Sequence, residues 1–269
     1  MKYKRWENQK LKIGLIMMLL LFLCAVFIPI LSKQSYRMQD AASRNLSSSL
    51  THLFGTDKFG RDIFVRVWYG LRISMFIGIA STGISAVIGI AIGIVSGYIG
   101  GTIDLICMRV ADMVDSIPSL LYMILITLVL GANLQSVLLG ICISGWTEFA
   151  RIVRGETMRV KKLEYCSAAR LLGWNSINVI LRHILPNIRG TITVSMIFFA
   201  PKAIFMEAFL SFLGIGISAP TASLGTMIQD ARSQMRLYPT QLLYPILVLC
   251  ILILAWNLIG LGLEEEEKR

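Results

Sequence analysis

The chain has 269 residues, 55% of them hydrophobic and only 16% charged, with a mean hydropathy of +0.69. An average soluble domain carries roughly 25% charged residues, so a soluble globular class is excluded. The net charge of +10 does not imply nucleic acid, because the basic residues border apolar runs as the positive-inside rule requires.

Runs long enough to cross a hydrocarbon core, about 20 helical residues each, lie at 13–32, 73–98, 105–130, 132–149, 190–215 and 241–261. They lack the alternation of barrel strands, so the sequence predicts an all-α, polytopic membrane helical bundle of about six spans. An even count puts both termini on one side, and the charge puts that side in the cytoplasm.

Lys2, Lys4, Arg5, Lys10 and Lys12 precede the first run, which is too long for a signal-peptide core and is followed by no A-x-A-like site. It reads as an uncleaved signal anchor. Residues 33–72 hold seven basic and three acidic residues and fall outside by parity, against the charge rule. Within them, "GTDKFGRD" offers Gly55 and Gly60 for tight turns, and Thr56, Asp57, Arg61 and Asp62 for bonds to backbone ends and to each other. Such a knot either pins an interfacial helix to the outer rim or presents a surface to an outer partner.

The glycines of "GIASTGISAVIGIAIGIVSGYIGG" predict close helix packing by the second run. Asp104, Arg109, Asp112 and Asp115 then stand at the cytoplasmic entrance of the third, ahead of Pro118; Arg109 and Asp112, three apart, can pair. Pro118 is a candidate bending point.

From Arg151 to Arg189 there are eight Lys or Arg against two Glu. Within that stretch Tyr165, Ala168, Ala169 and Leu172 recur at helical spacing, Gly173 suits a left-handed cap, and Asn175 or Ser176 can cap a second helix. Ile177, Ile180, Leu181, Ile184 and Leu185 continue the period, and Pro186 is expected to end it. The result is a basic helix–turn–helix elbow, either an interfacial cover or a docking element for a soluble partner.

Lys202 falls near the middle of the fifth run, with Pro201 before it and Glu207 five residues after. A charge at that depth costs about 2.5–3.5 kcal/mol on insertion scales, so it belongs to an interior or a water-filled path. Lys202 either lines a translocation path and attracts an anionic group or is neutralised by Glu207 or a partner subunit. Five scattered cysteines and two histidines, His52 and His183, support neither a disulfide frame nor a metal site. No GxxxxGK[ST] occurs, so this chain has no P-loop for ATP. The closing "EEEEKR" reads as a solvated tail.

"EYCSAARLLG" followed by "RHILPN" resembles the EAA loop of ABC-importer permeases, a cytoplasmic coupling helix that docks on an ATPase subunit. Ala168, Ala169, Gly173, Leu185 and Pro186 match its pattern, and Ser167 stands where the family usually has Glu. Glu164, Tyr165 and Arg170 adjoin these positions. "FGTDKFGRDIFVRVWYGLRISM", "MRVADMVDSIPSLL" and "FLSFLGIGISAPTASLGTMIQDAR" resemble the oligopeptide, dipeptide and nickel branch of the same family, in the right order.

The resemblance implies a type I importer permease fold, with an N-terminal anchor and outer segment over 1–72 and a permease core over 73–269 carrying the coupling loop at about 151–189. It implies a non-catalytic subunit of a bacterial plasma-membrane transporter that binds no cofactor itself. The implied partners are a homologous second permease, one or two cytoplasmic ATPases holding ATP and Mg, and an extracytoplasmic binding protein. Oligopeptides or dipeptides are the first expected substrate, nickel or a metal chelate the second. An ion-coupled secondary transporter, with Lys202 and Glu207 as its titrating pair, is the competing class.

Overall fold

The computed structural model describes residues 2–32, 34–218 and 220–267, without the side chains of 2–8 and 267. The predicted basic flank formed by Lys2, Lys4 and Arg5, together with Lys33 and the final Lys268 and Arg269, lies outside the described side chains. The described residues fold as α1 (Lys2–Leu31), α2 (Ile63–Ile99), α3 (Gly101–Asp115), α4 (Ser119–Leu130), α5 (Leu134–Val160), α6 (Glu164–Leu171), α7 (Ser176–Val179), α8 (Leu185–Phe212), α9 (Leu224–Arg232) and α10 (Pro239–Glu267). Five of the segments are long and apolar enough to cross a membrane: Gln9–Leu31, Ile63–Ile99, Leu134–Val160, Ser176–Phe212 and Pro239–Glu266.

The expected third span departs from a straight rod. It is broken between α3 and α4, which meet at 75°, so six spans are reached only by taking this bent pair as one. Pro118 has no N–H to continue the helix and disfavours helical geometry at Ile117. The acidic residues of α3 give a second cause, since they bind arginines of α5: Arg154 holds Asp104, while Arg151 Nη2 reaches Asp112 at 2.9 Å and Asp115 at 2.8 Å. α3 is thereby tied along the C-terminal half of α5. The expected Arg109–Asp112 pair is only a 4.0 Å approach.

α1 docks on α10 and α2. Pro29 inside α1 leaves the Ala25 carbonyl without its helical donor. Arg72 of α2 supplies one, its Nε at 3.1 Å and Nη2 at 2.9 Å from Ala25 O, with Nη2 also 3.2 Å from Val26 O. In hydrocarbon such a carbonyl must find a partner inside the protein. α2 begins at Ile63, so it runs through the expected boundary at residue 72 and joins the outer segment to the core.

α2 and α5 share the closest face of the bundle. Gly89, Gly93 and Gly97 stand four residues apart on α2 and face α5; a Cβ on Gly93 would sit 2.7 Å from Ala150 O and 3.0 Å from Arg154 N. The small side chains let the backbones approach, as the spacing predicts. α8 passes beside both helices, and the three together position the regions described next.

Candidate functional site

The elbow grows out of the last turn of α5. Lys161 Nζ donates to Gly97 O at 2.6 Å and Tyr98 O at 3.1 Å, satisfying carbonyls at the end of α2. α6 then buries Cys166 and Ala169 against a cluster containing Val153, Val160, Val179, Ile184, Ile188 and Ile192. Arg170 folds back to donate to Cys166 O and Lys161 O. Gly173 takes φ +83°, and Trp174 N donates to Ala169 O at 3.1 Å, closing the helix with the left-handed cap its sequence predicts. Asn175 accepts from Asn178 N at 2.8 Å and starts α7.

Two expectations for the elbow need correction. Pro186 does not end the second helix: α7 passes through a π-helical turn, Ile180–Ile184, straight into α8, with Pro186 in the first turn of α8. Leu185 N reaches back to Ile180 O across that wider turn, which lets the chain continue around a residue lacking an N–H. The stripe expected on one face of α6 also splits. Ala169 is buried, but Tyr165, Ala168 and Leu172 face outward, and Cys166 joins Ala169 inside, where two small residues fit the shared cluster of α5, the elbow and α8.

What the elbow shows to solvent is therefore apolar. Leu171 is 89% exposed, Leu172 80%, Ile177 65% and Leu181 55%. Beside them Trp174 carries Arg182 over its ring at 5.4 Å and lies 5.2 Å from the ring of His183, which is 5.9 Å from Tyr165. Glu164 and Ser167 are exposed on α6, Pro186 is exposed on α8, and Leu185 is half-buried. Glu164 in the first turn complements the α6 dipole. Burial pushes the Cys166 thiol above its ordinary pKa.

The GTDKFGRD motif forms a buried charge cluster. Arg61 Nε bonds Asp57 at 2.6 Å and its Nη2 bonds Asp230 of α9 at 2.7 Å, with Arg66 approaching the same two carboxylates at 3.8 and 3.7 Å. Asp62 caps α2 at Val65 N and meets His52 Nδ1 at 2.8 Å. Thr56 bridges to Asp62, and Gly55 and Gly60 take positive φ at the turns. Asp230 and Arg66 were not singled out in the sequence, and His52 was noted only as one of two histidines, because all three join the motif only through the fold.

The two membrane-depth charges part company. Glu207 is wholly buried; its carboxylate accepts from Ser74 Oγ at 3.2 Å and Ser211 Oγ at 2.8 Å. Lys202 instead bonds Glu148 of α5 at 2.7 Å. A five-residue step turns the helix by about 140° past a full turn, so the Lys202–Glu207 pairing is geometrically disfavoured and the structure does not form it. Lys202 lines a cavity of about 520 Å³ together with Glu148, Arg151, Asp115 and Phe199. Glu207 does not line it.

Residues 89–264 match the family described as the binding-protein-dependent transport system inner membrane component. The chain is 42% identical to the oligopeptide transport system permease protein OppC of Bacillus subtilis, over 97% of this chain and 86% of that protein. It is 40% identical to the dipeptide transport system permease protein DppC of the same organism, over 98% and 83%. Against OppC of Escherichia coli K12 the identity is 36%, over 96% and 86%. A crystal structure of an amino acid ABC transporter with histidines shares the fold, with a TM-score of 0.58 over 75% of this chain and 94% of that one at 17% identity. The chain belongs to the binding-protein-dependent transport inner-membrane family and is a multi-pass membrane component of that transport class.

Proposed function

Starting from that membership, we propose that the chain is the permease subunit of an ATP-driven peptide importer. It pairs with a homologous second permease to enclose a path, receives solute from an extracytoplasmic binding protein and is driven by cytoplasmic ATPases that hold ATP and Mg. The peptide substrate rests on the names of the oligopeptide and dipeptide relatives. The cytoplasmic side of the elbow, and so of both termini, rests on its eight basic residues against two acidic ones. The basic surplus of the outer segment is partly absorbed within the fold, where Arg61, Arg66 and Arg72 are held by carboxylates or backbone carbonyls.

The observation that carries this reading is the apolar face of the elbow. Leu171, Leu172, Ile177 and Leu181 surround Trp174 on a segment too polar to enter the bilayer, and a partner with an apolar groove would cover them. Glu164, Ser167, Ala168, Ala169, Arg170 and Gly173 shape that handle, and Leu185 and Pro186 join it to α8. With Ser167 in place of the family's Glu, docking here relies on shape and apolar contact. Paired Leu171→Asp and Leu172→Asp substitutions test it: the ATPase should no longer copurify, and ATP-dependent peptide uptake should fall to background. Full copurification and uptake in that variant would refute docking at this face, and uptake driven by an ion gradient without any ATPase would replace the reading with a secondary transporter.

A further inference from the structure

We propose that Glu148 and Lys202 form an exchangeable ion pair in the wall of the translocation path, which a solute carrying both charge signs displaces, its carboxylate going to Lys202 and its ammonium to Glu148. The inference rests on the importer reading above and adds the site at which the path reads charge.

Depth is the first argument. Glu148 lies 14 residues from the start of α5 and 12 from its end, about 21 and 18 Å along the axis. Lys202 lies 10 residues from the end of α8, about 15 Å. Lys202 therefore stands within the predicted 190–215 run, and Glu148, next to last in the 132–149 run, meets it near the end of that run, where charges face protein interior or water rather than lipid. Here they face an open volume of about 520 Å³, with side chains still 57% and 43% exposed for Lys202 and Glu148. A purely structural pair at this depth would be enclosed by packed side chains, as Glu207 is.

The second argument is the contrast with the other charges of the same wall. Arg151 is held by two carboxylates, Asp112 and Asp115, and Asp115 also accepts from Thr147 Oγ1 at 2.7 Å. Each member of that network thus has at least two partners, Asp112 being approached also by Arg109 at 4.0 Å. Lys202 and Glu148 share one hydrogen bond at 2.7 Å, with no other protein partner recorded for either side chain among the described residues. An ammonium has three donors and a carboxylate about four acceptor sites, so most of their capacity remains for a solute. A ligand with matched charges can take over the pair without leaving either charge alone, which avoids the large penalty of a buried unpaired ion.

The test is charge selectivity in the assembled transporter, with ATP-driven uptake of two tripeptides with uncharged side chains, one N-acetylated with a free carboxylate and one amidated at its C-terminus with a free ammonium. Lys202→Glu should lower the carboxylate-to-ammonium uptake ratio roughly tenfold and Glu148→Lys should raise it by a similar factor, the scale of one charge-assisted hydrogen bond. The double charge swap should assemble with its partners yet fail to restore uptake. The proposal is overturned if both peptides fall in parallel, if the swap restores uptake as a structural bridge would, or if Lys202→Met transports as wild type. Loss of assembly even in Lys202→Arg would also overturn it, since the pair would then serve only folding. Absence of ATP-driven uptake by the wild-type complex would instead count against the importer reading itself.

Discussion

Gly93→Ala tests the contact that holds the bundle together. The added Cβ would stand 2.7 Å from Ala150 O, 2.8 Å from Val153 Cβ and 3.0 Å from Arg154 N, two of the three being backbone atoms of α5. A side chain could turn away, but backbone cannot, so α5 must recede by about 0.7 Å to reach an ordinary contact near 3.4 Å. Overpacking of this kind costs about 1–3 kcal/mol. Gly83 on the same helix is the control, because a Cβ there meets nothing within 4 Å; Gly83→Ala should be neutral or gain a few tenths of a kcal/mol from helix propensity. Thermal unfolding of the two variants in one detergent reads the difference. Equal stability of Gly93→Ala and Gly83→Ala would refute the claim that glycine is required for the α2–α5 approach.

Arg72→Met should destabilise the chain by about 1–3 kcal/mol, the cost of a buried carbonyl left unpaired, and the loss should shrink in a Pro29→Ala background, where residue 29 regains its own N–H for Ala25 O; additive losses in a double-mutant cycle would argue against this coupling. Glu207→Gln should remain near wild type, its amide oxygen accepting from one serine while its NH2 donates to the other, whose hydroxyl rotates to accept, whereas Glu207→Leu should cost about 1–3 kcal/mol in thermal unfolding. With Cys24, Cys107, Cys142 and Cys250 replaced by Ala, alkylation of Cys166 should be slow at neutral pH. It should rise only as pH climbs past the ordinary thiol value of about 8.5, because burial raises the folded pKa and so favours the protonated form until then; rapid labelling at neutral pH would show the inner face of the elbow to be open.

The long apolar helices were legible because length and hydropathy alone decide whether a segment can cross a bilayer. The break at Pro118 was legible only as a point of bending, since what turns α3 aside is its pairing with Arg151 and Arg154, and tertiary partners leave no local signal. Gly173 and Asn175 were readable because caps are local chemistry. The buried face of α6 was not legible in its stripe, because the helix buries its small residues, Cys166 and Ala169, and leaves the larger Leu171 and Leu172 outside. Pro186 was misread because a π-turn upstream absorbs its missing donor. Lys202 was found from its depth, but its partner was sought in Glu207 or in a partner subunit; Glu148, the one acidic residue inside the neighbouring 132–149 run, was the signal available for the pair that formed.

Chain order then links the two regions. α5 carries Glu148 into the elbow and α8 carries Lys202 out of it, with no other element between. Cys166 and Ala169 belong to one buried cluster with Val153 and Val160 of α5, Val179 and Ile184 of the elbow, and Ile188 and Ile192 of α8, so the elbow's core is continuous with the ends of both helices. Close-packed interfaces of this kind transmit displacement because they do not deform continuously. Under the importer reading, a force on Leu171 and Leu172 therefore acts on α5 and α8 together, at their cytoplasmic ends. The Lys202–Glu148 bond at 2.7 Å leaves ion-pair range after a relative shift of about 1.3 Å, given a limit near 4 Å. Under that reading and the charge-exchange proposal, the two residues of the pair sit on the two helices that the elbow connects, so movement of the elbow acts on both ends of the bond.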